Sequence, residues 1–553
     1  MPDSSRLAAP PPRIETLLAL RTAALSVIDA GADIPLDTSE IEVLLSAAGL
    51  EQPDCDEAWL RRSLDRGVDP LGDAYCRILN PDTRRGQGQT FTPPAIVESM
   101  VAAARIEADT NGAFVRIVDP GAGSGRFTIA LARHFPDAEL VAVERDPAVS
   151  VLLRANLHAA GLTPRARVLR EDFRAIDLGE VPGRTLFVGN PPYVRHHDIG
   201  AEWKDWYAAA AASYGVRASK LAGLHLHFFV KALQLSRPGD FGLFVTAAEW
   251  METGYGRALR DLLLGPMGGR SVHIVDAASR PFADALTTAA ITGFGPHATC
   301  DGMRLSYVQS ADDLADLSSG IDVAADVLQG ASRWGRDLCD ARPIDQHSPG
   351  DAVPIGTLFR VSRGQSTGQN DVWIAGPDTP LLPDRFLVPC ITAAQDIFDA
   401  EATGWRIAKA GQLKRVIALP ADLDALDPTE RTAIDTFLDW ARARGADKTY
   451  TARHRKPWWS VRLYPPAPIV CSYMARRAPV FVRNTVGAAI LNIAHGLYPR
   501  YEPGEAELDQ LCQTLNRSIR LEDGRTYAGG LVKFEPKMVE NLKIERLSDR
   551  PSS

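Results

Sequence analysis

The sequence predicts an α/β protein built on an open, doubly wound, mostly parallel sheet, with a helical segment before it and a second domain after it. Three observations carry this expectation. Short apolar runs alternate with helical stretches between residues 86 and 310. Turn residues follow the runs directly. Chemistry-bearing side chains fall where successive runs end, and in such sheets ligands bind beyond the carboxyl ends of the strands.

The elements follow in order. Residues 1–12, "MPDSSRLAAPPP", carry an acid and three consecutive prolines and are expected to be disordered. They lack the apolar stretch of a secretory signal, and no apolar run is long enough to span a bilayer, so a cytoplasmic protein without membrane contact is expected. Ile14, Leu17, Leu18 and Leu25 have helical spacing, and residues 1–85 are taken as a helical N-terminal segment. In residues 86–310, "RIVDP", "ELVAVERDP", "ARVLREDF", "TLFVGNPPY", "FGLFVTAAEW" and "SVHIVDA" read as strands. "RFTIALARHF", "AVSVLLRANLHAAG" and "LHLHFFVKALQLSRPG" read as the helices between them. Residues 311–350, rich in Asp, Ser, Gly and Ala, read as a linker, and residues 351–553 as a second domain.

The seven cysteines form no CxxC, which argues against a zinc knuckle or a disulfide framework. His196, His197, His225 and His227 lack a Cys or carboxylate at ligand spacing, so loop polarity and helix packing are expected of them and no metal. The net charge of −8 is unevenly spread: from Lys448 to Tyr501 there is no Asp or Glu. That stretch contains "KTYTARHRKPWWSVRLYPP", where Arg453, Arg455 and Lys456 stand beside Trp458 and Trp459; Arg476 and Arg477 follow. Cations can hold phosphates and aromatics can read or wedge bases, so these seven residues are candidate nucleic-acid contacts. The ordinary alternative is a solvated basic loop with two tryptophans in the core.

"DPGAGSG" follows the first strand, with Asp119, Gly121, Gly123 and Gly125 available for a tight turn against a ligand. Its GxGxG spacing differs from the GxGxxG of a dinucleotide pyrophosphate site. Glu144 ends the next strand, 23 residues after Gly121, where an acid can accept from both hydroxyls of a ribose. Asp172 ends the strand after that and can accept from an adenine amine, with Phe173 lying against the purine. Each has an ordinary structural role as well. Their succession at strand ends suits a nucleoside without phosphates, S-adenosylmethionine.

"GQTFTPPAIVESMV", "DPGAGSG", Glu144, Asp172 and "NPPY" occur in the order found in gamma-class amino-DNA methyltransferases. The chain most resembles the TaqI-like N6-adenine enzymes of Type II restriction–modification systems. The resemblance implies a class I S-adenosylmethionine-dependent methyltransferase domain and a C-terminal DNA target-recognition domain, which "LFRVSRGQSTGQNDVWI" would begin. It implies that Thr92 and Pro93 pack over the cofactor's methionine part. It also implies duplex DNA as substrate, a possible separate restriction endonuclease, and a monomer or weak dimer.

The turn then has a defined task. An exocyclic aromatic amine is a poor nucleophile because its lone pair is delocalised into the ring. The Asn190 side-chain oxygen and the Pro191 carbonyl can draw its hydrogens and favour the attacking geometry, while Pro192 stiffens the turn. Tyr193 offers a flat face to a flipped-out base. The family uses a further aromatic after a later strand; Phe294 is expected in that role and Phe282 is the second choice. The same tetrapeptide occurs in enzymes that methylate a protein glutamine amide or an adenine in RNA, and cytosine N4 presents a similar amine.

Overall fold

In the computed structural model, described residues are 14–29, 34–46, 57–86, 88–276, 282, 288–331, 333–335, 338, 352–407, 409–527 and 531–545. The expectation for residues 1–12 lies outside them. The chain divides into two compact units, Met1–Ala341 and Arg342–Ser553. No helix among the described residues is long and apolar enough to cross a membrane.

The first unit opens with helices α1 (Leu17–Asp29), α2 (Thr38–Leu45), α3 (Glu57–Asp65), α4 (Pro70–Ile78) and α5 (Pro81–Gly86). The α/β part then runs α6 (Pro94–Asn111), β1 (Phe114–Pro120), α7 (Arg126–Ala132), β2 (Glu139–Val143), α8 (Pro147–Ala159), β3 (Ala166–Leu169) and β4 (Arg184–Gly189). It continues through α9 (Ala201–Ala212), α10 (Leu224–Leu235), β5 (Phe241–Ala247), α11 (Arg257–Leu264), β6 (Gly269–Val275), β7 (Ala289–Phe294), β8 (Gly302–Val308), β9 (Ile321–Ala324) and α12 (Ala325–Gly330).

These strands form one nine-stranded sheet in the order β3-β2-β1-β4-β5-β7-β6-β8-β9. The first five are parallel; β7 runs antiparallel between β5 and β6, and β9 returns antiparallel along β8. The order reverses direction between β1 and β4, and a crevice opens at such a point. Residues 311–350 are therefore more than a linker: 321–330 supply an edge strand and a short helix, and Trp334 is buried against Trp250. Ile321 and Val323 alternate inward with exposed Asp322, a pattern too short to stand out from the surrounding polar residues.

Local chemistry explains the elements that shape the crevice. In α6, Pro94 occupies the first turn, where its missing N–H is no loss, and Ile96, Met100 and Ala104 bury one stripe. Asp146 caps α8 by accepting from Ala148 N–H (2.9 Å) and Val149 N–H (3.3 Å). Nearly every residue of α8 is buried, including Leu152, Leu153 and Leu157. The sheet covers one side, and Leu20, Val27, Leu44, Leu60 and Leu71 of the N-terminal helices join its hydrophobic cluster on the other. Glu40 of α2, fully buried, is paired with Arg154 of α8 at 2.7 Å and clamps the two layers.

The second unit holds a five-stranded sheet whose strands run, in spatial order, Phe359–Arg363, Ala494–Pro499, Ile469–Ser472, Phe481–Asn484 and Arg406–Ile407. The helix Glu505–Ser518 packs Leu508, Leu511 and Leu515 into the cluster beneath it. A separate cluster surrounds the helix Pro428–Ala443.

Candidate functional site

A cavity of about 480 Å³ lies at the carboxyl ends of β1, β2, β3 and β4. It is within the size range of small-molecule sites. Glu144 directly follows β2, Asp172 stands three residues past the end of β3, and the Asn190 turn directly follows β4. All three line the cavity, together with Gly121, Gly123, Thr92 and Pro192.

The glycine loop needs glycine for two different reasons. Gly121, Gly123 and Gly125 all have positive φ (78°, 58° and 91°), where a side chain is strained. Gly123 presents its N–H to Glu144 Oε2 at 3.0 Å. Gly125 does not line the cavity; a Cβ there would lie 2.7 Å from Leu153, so this glycine lets α7 approach α8. Asp119 is also behind the loop. Its Oδ2 accepts from the N–H and hydroxyl of Thr128 (3.1 and 2.7 Å), which fixes the start of α7, and it does not reach the cavity. Both residues were expected to touch the cofactor; both instead hold the loop that would.

Glu144 Oε1 accepts from Asp146 N–H at 2.8 Å, so each carboxylate oxygen has one backbone donor and spare acceptor capacity. Burial pushes its pKa up from 4.5 to about 7, the Asp146 and Gly123 N–H groups oppose this, and the charges of Asp146 and Asp119 add to it. Burial also raises Asp119 to about 7 against the pull of Thr128.

Asp172 takes a different setting. Burial pushes its pKa up, but Arg174 outweighs this and the net shift is downward. The guanidinium donates to both carboxylate oxygens (2.9 and 2.7 Å) and lies 4.0 Å from the centre of the Trp203 ring. Phe173 is buried against Phe228, with ring centres 5.0 Å apart, and both rings line the cavity. Sequence reasoning missed Arg174 and Trp203; Trp203 lies on α9, which carries no motif.

The side chain of Asn190 is oriented by its partners. Its Nδ2 donates to Thr90 carbonyl (2.9 Å) and to Thr92 Oγ1 (3.1 Å). A carbonyl only accepts, so the nitrogen must face this way and the oxygen the other. That oxygen is buried and has no hydrogen-bond partner among the described residues. The "TP" threonine thus orients the asparagine, and Arg126 Nη1 secures it by donating to the Thr92 carbonyl at 2.9 Å. Pro93 is the N-cap of α6 and does not line the cavity, so the expected contact with the cofactor's methionine part is carried by neither its ring nor its position. Pro191 is buried and Pro192 lies 3.4 Å from the point where a Gly121 Cβ would stand.

Tyr193 is anchored through its N–H to Gly88 carbonyl at 3.1 Å. Its ring faces Phe282 (centres 6.3 Å apart, 65° between planes) and His225 (6.0 Å). The expectation for Phe294 is corrected here. Phe294 pairs with Gly242 near the start of β5, at the end of the sheet away from Asn190, and is fully buried against Phe229 and Phe244. Because β7 runs antiparallel, its last residue lies at the wrong end; Phe282, which precedes β7, is the aromatic beside Tyr193. His225 and His227 are buried in α10, and burial lowers them to about 4 and about 3.

The basic segment of the second unit is only partly available. Trp458 and Trp459 pack with Trp373, Phe437 and Trp440, and Trp459 Nε1 donates to Pro420 carbonyl at 3.1 Å. Arg455 is spent on the carbonyls of Thr367 (3.1 Å) and Ser366 (2.5 Å). Arg477 pairs with Glu401 and lies over Phe398. Arg483, also in the acid-free stretch, is buried between Glu505 and Asp509. Arg453, Lys456 and Arg476 are exposed. The absence of acids in this stretch conceals acids supplied from elsewhere in the chain.

Residues 170–274 match the family described as "Eco57I restriction-modification methylase", and residues 348–552 match "Type II methyltransferase M.Eco57I, C-terminal domain". The chain is 47% identical over 492 residues to "Type II methyltransferase M.XamI" of Xanthomonas campestris pv. amaranthicola, covering 89% of this chain and 90% of that one. It is 23% identical over 482 residues to "Type II methyltransferase M.AccI" of Acinetobacter calcoaceticus, covering 84% and 86%. Among solved structures, the Type IIL restriction-modification enzyme MmeI in complex with DNA shares the fold, with a TM-score of 0.55 at 12% identity over 90% of this chain and 72% of that one.

Proposed function

The chain belongs to the Type II methyltransferases of restriction–modification systems, and on that premise we propose that it methylates the N6 amine of an adenine flipped out of duplex DNA at a specific sequence. The cofactor is S-adenosylmethionine. The residues present fit it: Glu144 offers two acceptors for ribose hydroxyls, Phe173 and Phe228 offer apolar rings, and the glycine loop leaves backbone room. When bound, it supplies an electrophilic methyl group on a sulfonium.

The observation that carries the reading is the buried Asn190 side-chain oxygen, on a residue of the cavity wall, which has no hydrogen-bond partner among the described residues. A buried acceptor without a partner costs about 1–3 kcal/mol, and on a cavity wall such an acceptor can be satisfied by an arriving substrate. We assign it, with the Pro191 carbonyl, to the amine hydrogens of the target base. Positive charge grows on the nitrogen as it attacks, so both acceptors bind the transition state more tightly than the ground state. The proton can leave after the bond to methyl has formed, and no strong general base is required. Tyr193 and Phe282 would hold the base in place. Asp172, already paired with Arg174, retains acceptor capacity for the adenine of the cofactor.

Residues 351–553 are assigned to target recognition, with the exposed Arg453 and Lys456 among the candidate phosphate contacts, and a separate endonuclease as the partner enzyme. The test is incubation with methyl-labelled S-adenosylmethionine and duplex DNA, followed by nucleoside digestion. Label in N6-methyladenine supports the assignment. Label in N4-methylcytosine, or in RNA or protein but not in DNA, refutes it.

A further inference from the structure

None of the expected site residues lies ahead of residue 86, yet one N-terminal helix reaches two of the cofactor loops. Asp69 is the N-cap of α4 and is 7% exposed. One carboxylate oxygen accepts from Gly72 N–H (3.0 Å) and Asn156 Nδ2 (2.9 Å). The other accepts from Ser124 Oγ and from Arg126 Nε (3.0 Å). Ser124 belongs to the glycine loop, and its carbonyl accepts from the same Asn156 Nδ2 at 2.9 Å. The loop after β1 is thus gripped at Ser124 from both hydroxyl and carbonyl.

Arg126 makes this grip electrostatic as well. It is the first residue of α7, where the helix dipole disfavours a cation, and it lines the cavity. Asp69 and Asp73 compensate its charge. Through Arg126 and the Thr92 carbonyl, the chain of hydrogen bonds continues to Asn190.

A second tie leaves α4 from Tyr75. Its hydroxyl donates to Gln89 Oε1 (2.9 Å), and Gln89 Nε2 donates to Asp146 Oδ2 (2.9 Å). Asp146 in turn donates its N–H to Glu144. The loop after β2 is held by the same helix that holds the loop after β1.

We infer that α4 is a working part of the cofactor site, with Asp69 and Tyr75 as positioning residues that fix the spacing of the two loops and cancel the charge of Arg126. This rests on the reading of the cavity as the S-adenosylmethionine site. The two residues act differently, which gives the test its resolution. Tyr75→Phe loosens Glu144, so it should weaken S-adenosylmethionine and its neutral thioether product S-adenosylhomocysteine alike, by about three- to tenfold. Asp69→Asn leaves Arg126 undercompensated near a cationic ligand, so it should weaken the sulfonium form at least about fivefold more than the thioether.

The experiment is titration calorimetry of both ligands against the full-length protein and each variant, with thermal melts alongside. Glu40→Gln is the control: it breaks the clamp between α2 and α8, should lower the melting temperature, and should leave both dissociation constants within twofold. The inference is overturned if Tyr75→Phe binds both ligands as the parent does. It is equally overturned if Glu40→Gln weakens binding as much as the α4 variants, since the effect would then be general loosening. Should Asp69→Asn fail to fold, Tyr75→Phe against Glu40→Gln still decides. Glu144→Ala reports separately on the cavity: unchanged affinity there removes the cofactor-site reading whatever the α4 variants do.

Discussion

The pH dependence of cofactor binding tests Glu144 directly. In the ligand-free protein its carboxyl is pushed up to about 7, chiefly by burial. Only the ionised form offers full acceptor capacity to both ribose hydroxyls, so affinity should follow the ionised fraction. With a pKa near 7, about a tenth of the carboxyl is ionised at pH 6 and about nine tenths at pH 8. The dissociation constant for S-adenosylmethionine should therefore rise about tenfold from pH 8 to pH 6, and binding at pH 6 should release close to one proton. The stability of the empty protein moves the opposite way. A raised folded-state pKa means that stability is fully present below about pH 4.5 and is lost as pH rises through 7, by at most about 3 kcal/mol for this group. Calorimetry in two buffers of different ionisation enthalpy measures both affinity and proton release. Glu144→Gln should bind weakly at every pH, without the slope. Asp119→Asn should keep the slope, because Asp119 titrates in the same range but does not face the cavity. A wild-type affinity that is flat from pH 6 to pH 8, or a slope that survives in Glu144→Gln, would refute the reasoning.

Other outcomes follow from particular contacts. Thr92→Val removes one of the two acceptors that orient Asn190 and should lower kcat about three- to tenfold with little change in KM for the cofactor; equal losses in both would place Thr92 elsewhere in the mechanism. Phe294→Ala should cost about 3–5 kcal/mol in chemical denaturation while activity per folded molecule persists, whereas Phe282→Ala, equally buried, should cost both stability and activity per folded molecule; a stable, inactive Phe294→Ala protein would restore the discarded assignment. Replacing Arg453 and Lys456 together should flatten the plot of log K for DNA against log salt by about 1–2 units, and an unaltered slope removes them from the interface. Trp458→Ala should lower the melting temperature before it changes DNA affinity, since the ring packs with Trp373 and Trp459.

The sheet, and the cavity at its strand ends, were legible because both are written locally. β2, β4 and β5 are largely apolar, buried runs, as parallel strands covered on both faces must be, and Pro191 and Pro192 stop β4. Asn190, Glu144 and Asp172 could be found because position along a strand determines position along the cavity rim. The misses share one cause: they depend on which elements lie side by side. The run containing Phe294 reads equally well in either direction, and only its antiparallel placement sends the ring to the far end. Trp458 and Trp459 look like base-reading aromatics until the helix Pro428–Ala443 is laid against them. Arg477 and Arg483 look unpaired until Glu401, Glu505 and Asp509 arrive from distant parts of the chain. Asp69 carries no motif at all; one of its four hydrogen bonds is the local cap of α4, and the other three form only when α4 meets the glycine loop, α7 and α8.

The double-sided burial of α8 bears on how such enzymes can be cut and recombined. A fragment beginning near residue 86 would keep every motif yet expose to water the flank of α8 that Leu20, Val27, Leu44 and Leu60 normally shield. It would also strand Arg154 without its carboxylate. Grafting the methylating part onto another specificity module must therefore carry the leading helices along, because the seam suggested by the motifs cuts through a core.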